Sequence, residues 1–146
     1  MAGADASKLY TPEILALAVD LARHPLDDRF ALRGEARSRT CGSRITLGLV
    51  QDLEGRVAHV GLAVQACAIG QAAAALFAAG VTGRAPEELE QAGSALARWL
   101  AGEGPLPDWP GLEALVAARG YPARHGAILL PWKAAQAALG KAGAAG

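Results

Sequence analysis

The sequence predicts an α+β fold, in which a three-stranded antiparallel sheet carries about five helices packed mainly on one face. Two observations lead to this prediction. Residues 43–65 alternate apolar and other side chains around a turn signal, which is typical of a half-buried hairpin. The other segments place apolar residues at helical spacing between residues that begin or end helices. We expect a single domain over residues 9–140, a disordered N-terminus over residues 1–8 and a frayed tail over residues 141–146.

The first helix is predicted to begin at Thr11. Thr11 is a suitable N-cap, Pro12 fits the first helical position, and Glu13 is favourable at the positive end of the helix dipole. The helix should end before Pro25, because the residue that precedes a proline avoids helical angles. Its predicted apolar stripe consists of Ile14, Leu15, Ala18, Leu21 and Ala22.

Three strands are predicted next. The first covers residues 29–33, the second residues 43–51 and the third residues 56–65, with a turn at Asp52–Gly55 between the last two. A hairpin centred on that turn brings the large apolar residues to one face, as a half-buried sheet requires. The predicted cross-strand pairs are Ile45 with Leu62, Leu47 with Val60, and Leu49 with Ala58.

The rest of the chain is predicted to be helical. An alanine-rich helix over residues 68–79 should close on Gly80 in the left-handed conformation. Pro86 begins the next helix, whose apolar residues recur at helical spacing. Pro131 should lie in the first turn of the last helix, because a proline further along would break it. The remaining predicted segments are a short helix over residues 111–118, a loop over residues 119–126 and the last helix over residues 128–139.

The composition argues against several classes of protein. Basic and acidic residues number 14 each, and a net charge of zero argues against a nucleic-acid-binding protein. No apolar run reaches the roughly 20 residues that span a membrane. The first ten residues lack a signal-peptide pattern, and two cysteines do not make a disulfide framework. We therefore expect a soluble cytoplasmic protein with reduced thiols and with neither nucleic acid nor membrane as a partner.

The two cysteines form the candidate site. Extended past the hairpin, the predicted register places Cys41 opposite Ala66, so that Cys41 and Cys67 lie side by side at one end of the sheet. Cys67 also directly precedes a helix, and a helix N-terminus stabilises a thiolate. Such a thiol is suited to be a nucleophile or a ligand of a soft metal. Two alternatives stay open: small buried hydrophobic residues, or partners in a redox disulfide.

Several short motifs, in their order along the chain, resemble one family. Residues 40–45, Thr-Cys-Gly-Ser-Arg-Ile, resemble the first cysteine motif of the IscU/SufU/NifU N-terminal family of iron–sulfur cluster assembly scaffolds. Cys67 before a helix of small residues resembles the second motif. Residues 121–124 and 130–134 are similar to the segment around the third cysteine of SufU-type members. The resemblance extends over residues 9–140.

The chain departs from the family pattern at the candidate site. The aspartate that follows Cys-Gly in the family is replaced by Ser43, and the third cysteine aligns with Ala127. Family members often have a histidine or lysine directly before that cysteine; here this position is Gly126, and His125 lies one position earlier. No Leu-Pro-Pro-Val-Lys motif is found in the sequence, which places the chain closest to the SufU-like members.

The resemblance implies a scaffold that binds a labile [2Fe–2S] cluster or iron, or alternatively zinc. It implies that a cysteine desulfurase supplies the sulfur, that other iron–sulfur assembly proteins are partners, and it allows a homodimer. It implies no enzymatic reaction beyond the acceptance of a persulfide by Cys67 or Cys41. The implied cluster or metal ligands are Cys41, Cys67, His125 and Ser43, with Arg44 and Arg124 supporting thiolate or persulfide charge.

These residues also have plainer interpretations. His125 would otherwise be a solvated loop histidine, and Arg44 and Arg124 ordinary surface arginines. His59 should lie on the exposed face of the sheet, and the three tryptophans should be packing residues. Three functions are therefore compatible with the sequence: a scaffold for a transient cluster, a sulfur-accepting partner of a desulfurase, or a degenerate scaffold homologue that serves protein interaction or regulation without stable metal binding.

Overall fold

The computed structural model describes residues 9–39 and 42–145 of the 146-residue chain, with side chains as far as residue 140. The expectation for residues 1–8 lies outside the described residues, and the frayed tail over residues 141–146 stays a prediction. In chain order the elements are α1 (Pro12–Asp20), a 3₁₀ turn (Leu21–Arg23), β1 (Leu32–Arg37), β2 (Arg44–Gln51), β3 (Val57–Gln65), α2 (Ala68–Val81), α3 (Pro86–Leu100), 3₁₀ helices at Leu112–Gly120 and Pro122–Arg124, and α4 (His125–Ala145).

The predicted fold class is confirmed. The three strands form one antiparallel sheet in the order β1-β2-β3. Side chains of β2 such as Ile45, Leu47 and Leu49 are buried on the face that carries the helices. The backbone of α4 lies directly against β1, because a Cβ placed on Gly34 would stand 2.1 Å from the carbonyl oxygen of Ala134.

The opposite face of the sheet, which we call the outer face, is covered only in part. Phe30 lies over Gly48 and Gly61, where an added Cβ would stand 2.4 Å and 2.6 Å from atoms of its side chain. Glycine at both positions therefore makes room for the buried Phe30 ring. The end of the outer face that includes Arg44 and Gln65 is exposed.

Helix α1 begins as predicted, with the Oγ1 of Thr11 accepting a hydrogen bond of 3.1 Å from the backbone N–H of Ile14. The chain leaves helical geometry after Arg23, before Pro25, also as predicted. The predicted apolar stripe is only partly correct. Ile14 is buried, but Leu15 is 48% exposed, because the buried side of this short helix is narrow.

The first strand was predicted too early in the chain, at residues 29–33 instead of Leu32–Arg37. Asp27 forms a turn there: its backbone carbonyl accepts from the N–H of Phe30, and its side chain accepts from the N–H of Arg29. The strand itself faces the helices with Leu32, Gly34 and Ala36. Since Gly34 is a glycine to admit α4 and Ala36 is also small, the strand alternates with charged residues but has one large apolar side chain, so its alternation is a weak signal.

The hairpin forms as predicted, but its register is two residues away from the predicted one. The observed pairs put Leu47 opposite Leu62 and Leu49 opposite Val60. The turn is centred on Glu54, half a residue later than predicted, because the N–H of Asp52 donates to the carbonyl of Arg56; this moves the pairing by one residue. A β-bulge between Val50 and Gln51 moves the pairing by one residue more. The two shifts add to an even number, so the buried face was still predicted correctly.

Helix α2 does not end on Gly80. It continues to Val81, and the glycine with positive φ is Gly83, at +87°. Gly80 is helical and lies against Trp109, because an added Cβ would stand 2.6 Å from the indole Nε1. That nitrogen donates a hydrogen bond of 2.8 Å to the carbonyl of Leu76. Gly80 is thus a packing residue and not a cap.

Helix α3 begins at Pro86 as predicted, but the segments after it differ from the prediction. The helix predicted for residues 111–118 is a 3₁₀ helix, and the predicted loop over residues 119–126 contains a further 3₁₀ turn and the start of α4. Helix α4 begins at His125 and runs beyond residue 139 to Ala145, so Pro131 lies in its second turn. Since Pro131 has no N–H, the carbonyl of Ala127 loses its usual helical partner.

The tryptophans are packing residues, as predicted. The rings of Phe77, Trp109 and Trp132 meet pairwise with centroids 5.2–5.7 Å apart, in stacked and edge-on contacts that join α2 to α4. Trp99 is also buried. Among the described residues, no helix has the length and apolar character that crossing a membrane requires.

Candidate functional site

Cys67 lies at the junction of β3 and α2, as the sequence predicts. β3 ends at Gln65, α2 begins at Ala68, and Cys67 is the N-cap with extended backbone angles. Its side chain makes no capping hydrogen bond, and the residue is half-buried. Gln71 fixes this turn, because its backbone N–H donates to the carbonyl of Cys67 and its side-chain amide donates to the carbonyl of Ala66, both at 2.9 Å.

The start of α4 lies against the start of α2. A Cβ added to Gly70 would stand 3.3 Å from the Cβ of Ala127 and 2.7 Å from the Cβ of Ala66. Ala127 is 1% exposed. The position that aligns with the family's third cysteine therefore contacts α2 at Gly70, which is less than one helical turn after Cys67. The fold brings the two positions together, although 60 residues of sequence separate them.

His125 is the first residue of α4 and not a loop residue. Its Nε2 lies 2.8 Å from the carbonyl oxygen of Arg119. Since a carbonyl only accepts, Nε2 carries the proton in this contact, and Nδ1 is the nitrogen that keeps a lone pair when the ring is neutral. A histidine held in this way by a backbone carbonyl has the arrangement common among metal-binding histidines.

Cys41 lies outside the described residues, and so does its predicted juxtaposition with Cys67. The predicted pairing of Cys41 with Ala66 rested on the register that is two residues off. The chain on either side is described. The N–H of Ser38 donates to the carbonyl of Ser43 at 2.8 Å, which closes the loop between β1 and β2. Ser43 is 4% exposed.

The two arginines predicted to support the site lie in different places. Arg44 begins β2 on the outer face, and its Nε donates to the Oε1 of Gln65 on the adjacent strand at 2.6 Å. Arg124 is half-buried in the 3₁₀ turn that immediately precedes His125. Their support of a thiolate or persulfide stays a prediction.

Solved structures resemble this chain over nearly its whole length. A NifU-like protein (N-terminal) from Brucella abortus, described as nitrogen-fixing, matches with a TM-score of 0.86 and 28% identity, and the match covers 97% of this chain and 99% of that one. The resemblance to the IscU/SufU/NifU N-terminal family is confirmed. A SufU from Fervidobacterium islandicum AW-1, described as an iron–sulfur cluster assembly scaffold protein for the SUF system, shares the fold with a TM-score of 0.73 and 20% identity, covering 88% of this chain and 95% of that one. No protein-family model and no curated protein sequence matches the chain.

The NifU-like fold of this chain offers few donor atoms to a metal. Within residues 9–39 and 42–140, no three His, Cys, Asp or Glu side chains are grouped closely enough to hold an ion. The whole sequence contains two cysteines and three histidines, and His59 is exposed on the outer face as predicted. Two thiolates and one histidine give three soft or borderline ligands, one fewer than zinc or a [2Fe–2S] cluster takes.

The outer face of the NifU-like sheet also contains residues that the sequence prediction missed. The observed register places Arg37, Arg44 and Gln65 in one row across the three strands. Arg37 was not considered, because β1 had been placed too early to include it. The alternation of Leu32, Gly34 and Ala36 with three charged residues was the signal that could have found it.

Proposed function

We propose that this chain is a scaffold-like protein of iron–sulfur cluster assembly, without enzymatic activity of its own, that carries a transient [2Fe–2S] cluster or metal at Cys41 and Cys67. Its sulfur comes from a cysteine desulfurase, and its partners are that enzyme and other assembly proteins in the cytoplasm. The cluster is cargo and not a resident cofactor. His125 is a third ligand through Nδ1, and Ser43 occupies the place of the family's aspartate.

The observation that carries this proposal is the position of Cys67. A half-buried thiol at the N-cap of α2, next to the start of α4, has the place that the second cysteine motif has in the family, on a chain similar to a NifU-like N-terminal protein over 97% of its length. Thiolate is the ligand that iron–sulfur clusters require.

The donor count makes the bound cluster labile. Three ligands hold zinc or iron with one position open, which suits exchange better than storage. Because buried Ala127 has a methyl group where the family has a thiol, a cluster here is held less firmly than in family members with three cysteines. Sulfur acceptance needs only one activated thiol, and Cys67 or Cys41 provides it.

Anaerobic reconstitution with ferrous iron and sulfide tests the proposal. We expect a coloured product with charge-transfer absorption from the wild type, and its loss in Cys41→Ala and in Cys67→Ala. His125→Asn should leave a product that forms but releases iron faster to a chelator. His59→Asn, which changes an exposed histidine on the outer face, is the matched control and should behave like the wild type. A wild-type protein that stays colourless and iron-free would refute the scaffold function.

Sulfur acceptance is tested separately. After incubation with a cysteine desulfurase and cysteine, mass spectrometry should find one added sulfur, about 32 Da, on Cys67 or Cys41. Cys67→Ser and Cys41→Ser assign the acceptor. No adduct on either cysteine, with no change in desulfurase turnover, would remove this part of the proposal.

A degenerate scaffold homologue that binds protein partners without stable metal is the second candidate. The observation in its favour is the pair of replacements at the site, Ser43 and Ala127, both of which are buried side chains without a thiol or carboxylate. Under this alternative, the double variant Cys41→Ala/Cys67→Ala would bind a desulfurase as tightly as the wild type and would replace it in cells. Under the first proposal, the double variant fails in cells even where it still binds.

A further inference from the structure

The exposed end of the outer face carries an unbalanced group of arginines. Arg37 on β1 is paired directly with Arg44 on β2, and both are exposed on the same face. Like charges opposite each other on adjacent strands destabilise a sheet. Among the described residues the ion pairs involve Arg23, Arg29 and Arg56, so neither Arg37 nor Arg44 has a carboxylate partner there.

The neighbouring groups do not neutralise this pair. Arg44 donates to the neutral amide of Gln65, and Arg39 in the following loop adds a third exposed guanidinium. Glu35 is the acidic side chain of the same face; it lines an adjoining recess together with Arg44 and Gln65 but forms no ion pair in the described part of the chain, so one carboxylate stands near three guanidinium groups. Arg33, by contrast, is held by the backbone carbonyls of Phe30 and Asp27.

The arginines surround a cleft of small-molecule size. The cleft has a volume of about 350 Å³, and it is lined by Arg37, Ser38, Arg39, Gly42, Ser43, Arg44 and Gln65. The core of a protein–protein interface is normally apolar and aromatic. The large apolar side chains that are exposed in the described residues lie elsewhere, on α1, at the hairpin tip and on the Leu112–Gly120 helix. The lining therefore fits a small anion better than a protein surface.

The cleft is also close to the candidate ligand. Gln65 lies two residues before Cys67, which is about 7 Å of extended chain, whereas a tripeptide spans about 10 Å. Arg44 is one strand spacing, about 4.8 Å, from Gln65, so a tripeptide held at Arg44 by one carboxylate is long enough to reach the start of α2. Two cysteines per chain supply half of the four thiolates that a [2Fe–2S] cluster takes.

We propose that this cleft binds the carboxylate groups of a low-molecular-weight thiol, whose thiolate provides a cluster ligand that the chain's own two cysteines do not supply. The inference deepens the proposed function and rests on it for the role of the thiol, whereas binding of the carboxylates is independent of any cluster. The thiol gives up its proton to solvent on ligation, and no oxidation state changes in this step.

Binding to the metal-free, reduced protein is the first test, with reduced glutathione as a thiol that has two carboxylates and S-methylglutathione as its analogue without a free thiol. We expect both to shift the amide resonances of the cleft, and 2-mercaptoethanol to shift none. Arg37→Gln and Arg44→Gln should each weaken binding by up to about fivefold, and high salt should weaken it further. Arg23→Gln, which changes an exposed arginine paired with Asp20, is the matched control.

The same titration separates the proposal from its competitor. A hexaglutamate peptide that binds while both glutathione compounds do not would overturn the proposal and identify the face as a docking site for an acidic protein. Equal binding of the glutathione compounds by the wild type and by Arg37→Gln/Arg44→Gln would overturn it as well, because the arginines would then not be the receptor. Melting temperatures confirm that the variants fold.

Anaerobic reconstitution tests the role of the thiol. Reduced glutathione should raise the cluster yield of the wild type by more than it raises that of Arg37→Gln/Arg44→Gln, whereas 2-mercaptoethanol should raise both equally. If glutathione raises the cluster yield of the wild type and of Arg37→Gln/Arg44→Gln equally, the cleft has no role in providing the cluster ligand. A wild type that binds glutathione but forms no cluster under any condition would refute the proposed function and leave the carboxylate site standing, so the two failures are distinguishable.

Discussion

Gly80→Ala is a sharp test of how α2 packs. The new Cβ would stand 2.6 Å from Nε1 and 2.7 Å from Cε2 of Trp109, so the indole would have to move by about 0.8 Å to restore ordinary contact. The ring is only 2% exposed and is held between Phe77 and Trp132, and its N–H donates to the Leu76 carbonyl. The clash therefore cannot be relieved by the rotation of a free side chain.

The expected magnitude is a balance of three terms. Overpacking costs about 1–3 kcal/mol, and strain on the indole hydrogen bond adds up to about 1 kcal/mol. Alanine in place of a helical glycine returns about 1 kcal/mol. The net loss in the free energy of unfolding is between about 0 and 3 kcal/mol, and each kcal/mol lowers the melting temperature of a chain of this size by about 2–4 °C.

Chemical denaturation and thermal melting measure the effect, with Gly140→Ala as the matched control. Gly140 is also a helical glycine, but an added Cβ would meet no atom within 4 Å, so this variant should be more stable than the wild type by up to about 1 kcal/mol. If Gly80→Ala is stabilised as much as Gly140→Ala, the indole is free to move and the packing argument is wrong.

Three further predictions concern the site and the helix ends. Ala127→Cys should raise the iron retained after anaerobic reconstitution, because it adds a third thiolate beside the start of α2; Ala138→Cys, equally buried on the same helix, should not. The Ala85 backbone N–H and the Arg56 guanidinium hold the pKa of Glu88 below its usual value of 4.5, so Glu88→Gln should lower the melting temperature at neutral pH. Because its pKa is lowered, ionised Glu88 stabilises the folded state at pH values above about 4.5. The difference in melting temperature between the wild type and Glu88→Gln should therefore shrink as the pH falls below about 4.5 and vanish once Glu88 is protonated. A difference that stays constant with pH would contradict this prediction. Thr11→Ala should lower the free energy of unfolding by about 1 kcal/mol, measured by urea denaturation, because the Ile14 N–H loses its acceptor, whereas Thr11→Ser should be nearly neutral.

Much of the fold was predictable because local chemistry determined it. Thr11 and Pro12 define the start of α1, and strict alternation around Asp52–Gly55 defines the hairpin and its buried face. The exact register was not predictable in this way. A one-residue shift at the turn and a one-residue bulge together move the register by two residues, which keeps the same apolar side chains on the buried face, so the sequence pattern is the same for both registers.

The errors concern residues whose role is set by tertiary contact. Gly34 and Gly80 look like a weak strand residue and a helix cap, yet they are there because α4 and Trp109 approach too closely for a Cβ. Pro131 looks like a helix start, yet the helix begins six residues earlier. At the site, the position of Cys67 followed from a strand-to-helix junction, whereas the neighbourhood of Ala127 depends on how two distant helices pack.

Pro131 divides α4 into two parts that have different neighbours. The segment from Pro131 onward packs along β1 through Ala134 and Ala138, whereas the first six residues contain His125 and Ala127. Because the proline removes the hydrogen bond that would link the Ala127 carbonyl to the next turn, the two parts are coupled by one bond fewer. Since Ala127, Ile128 and Leu130 are buried, side-chain packing holds the segment before Pro131 beside the start of α2, where the backbone ladder is one bond short.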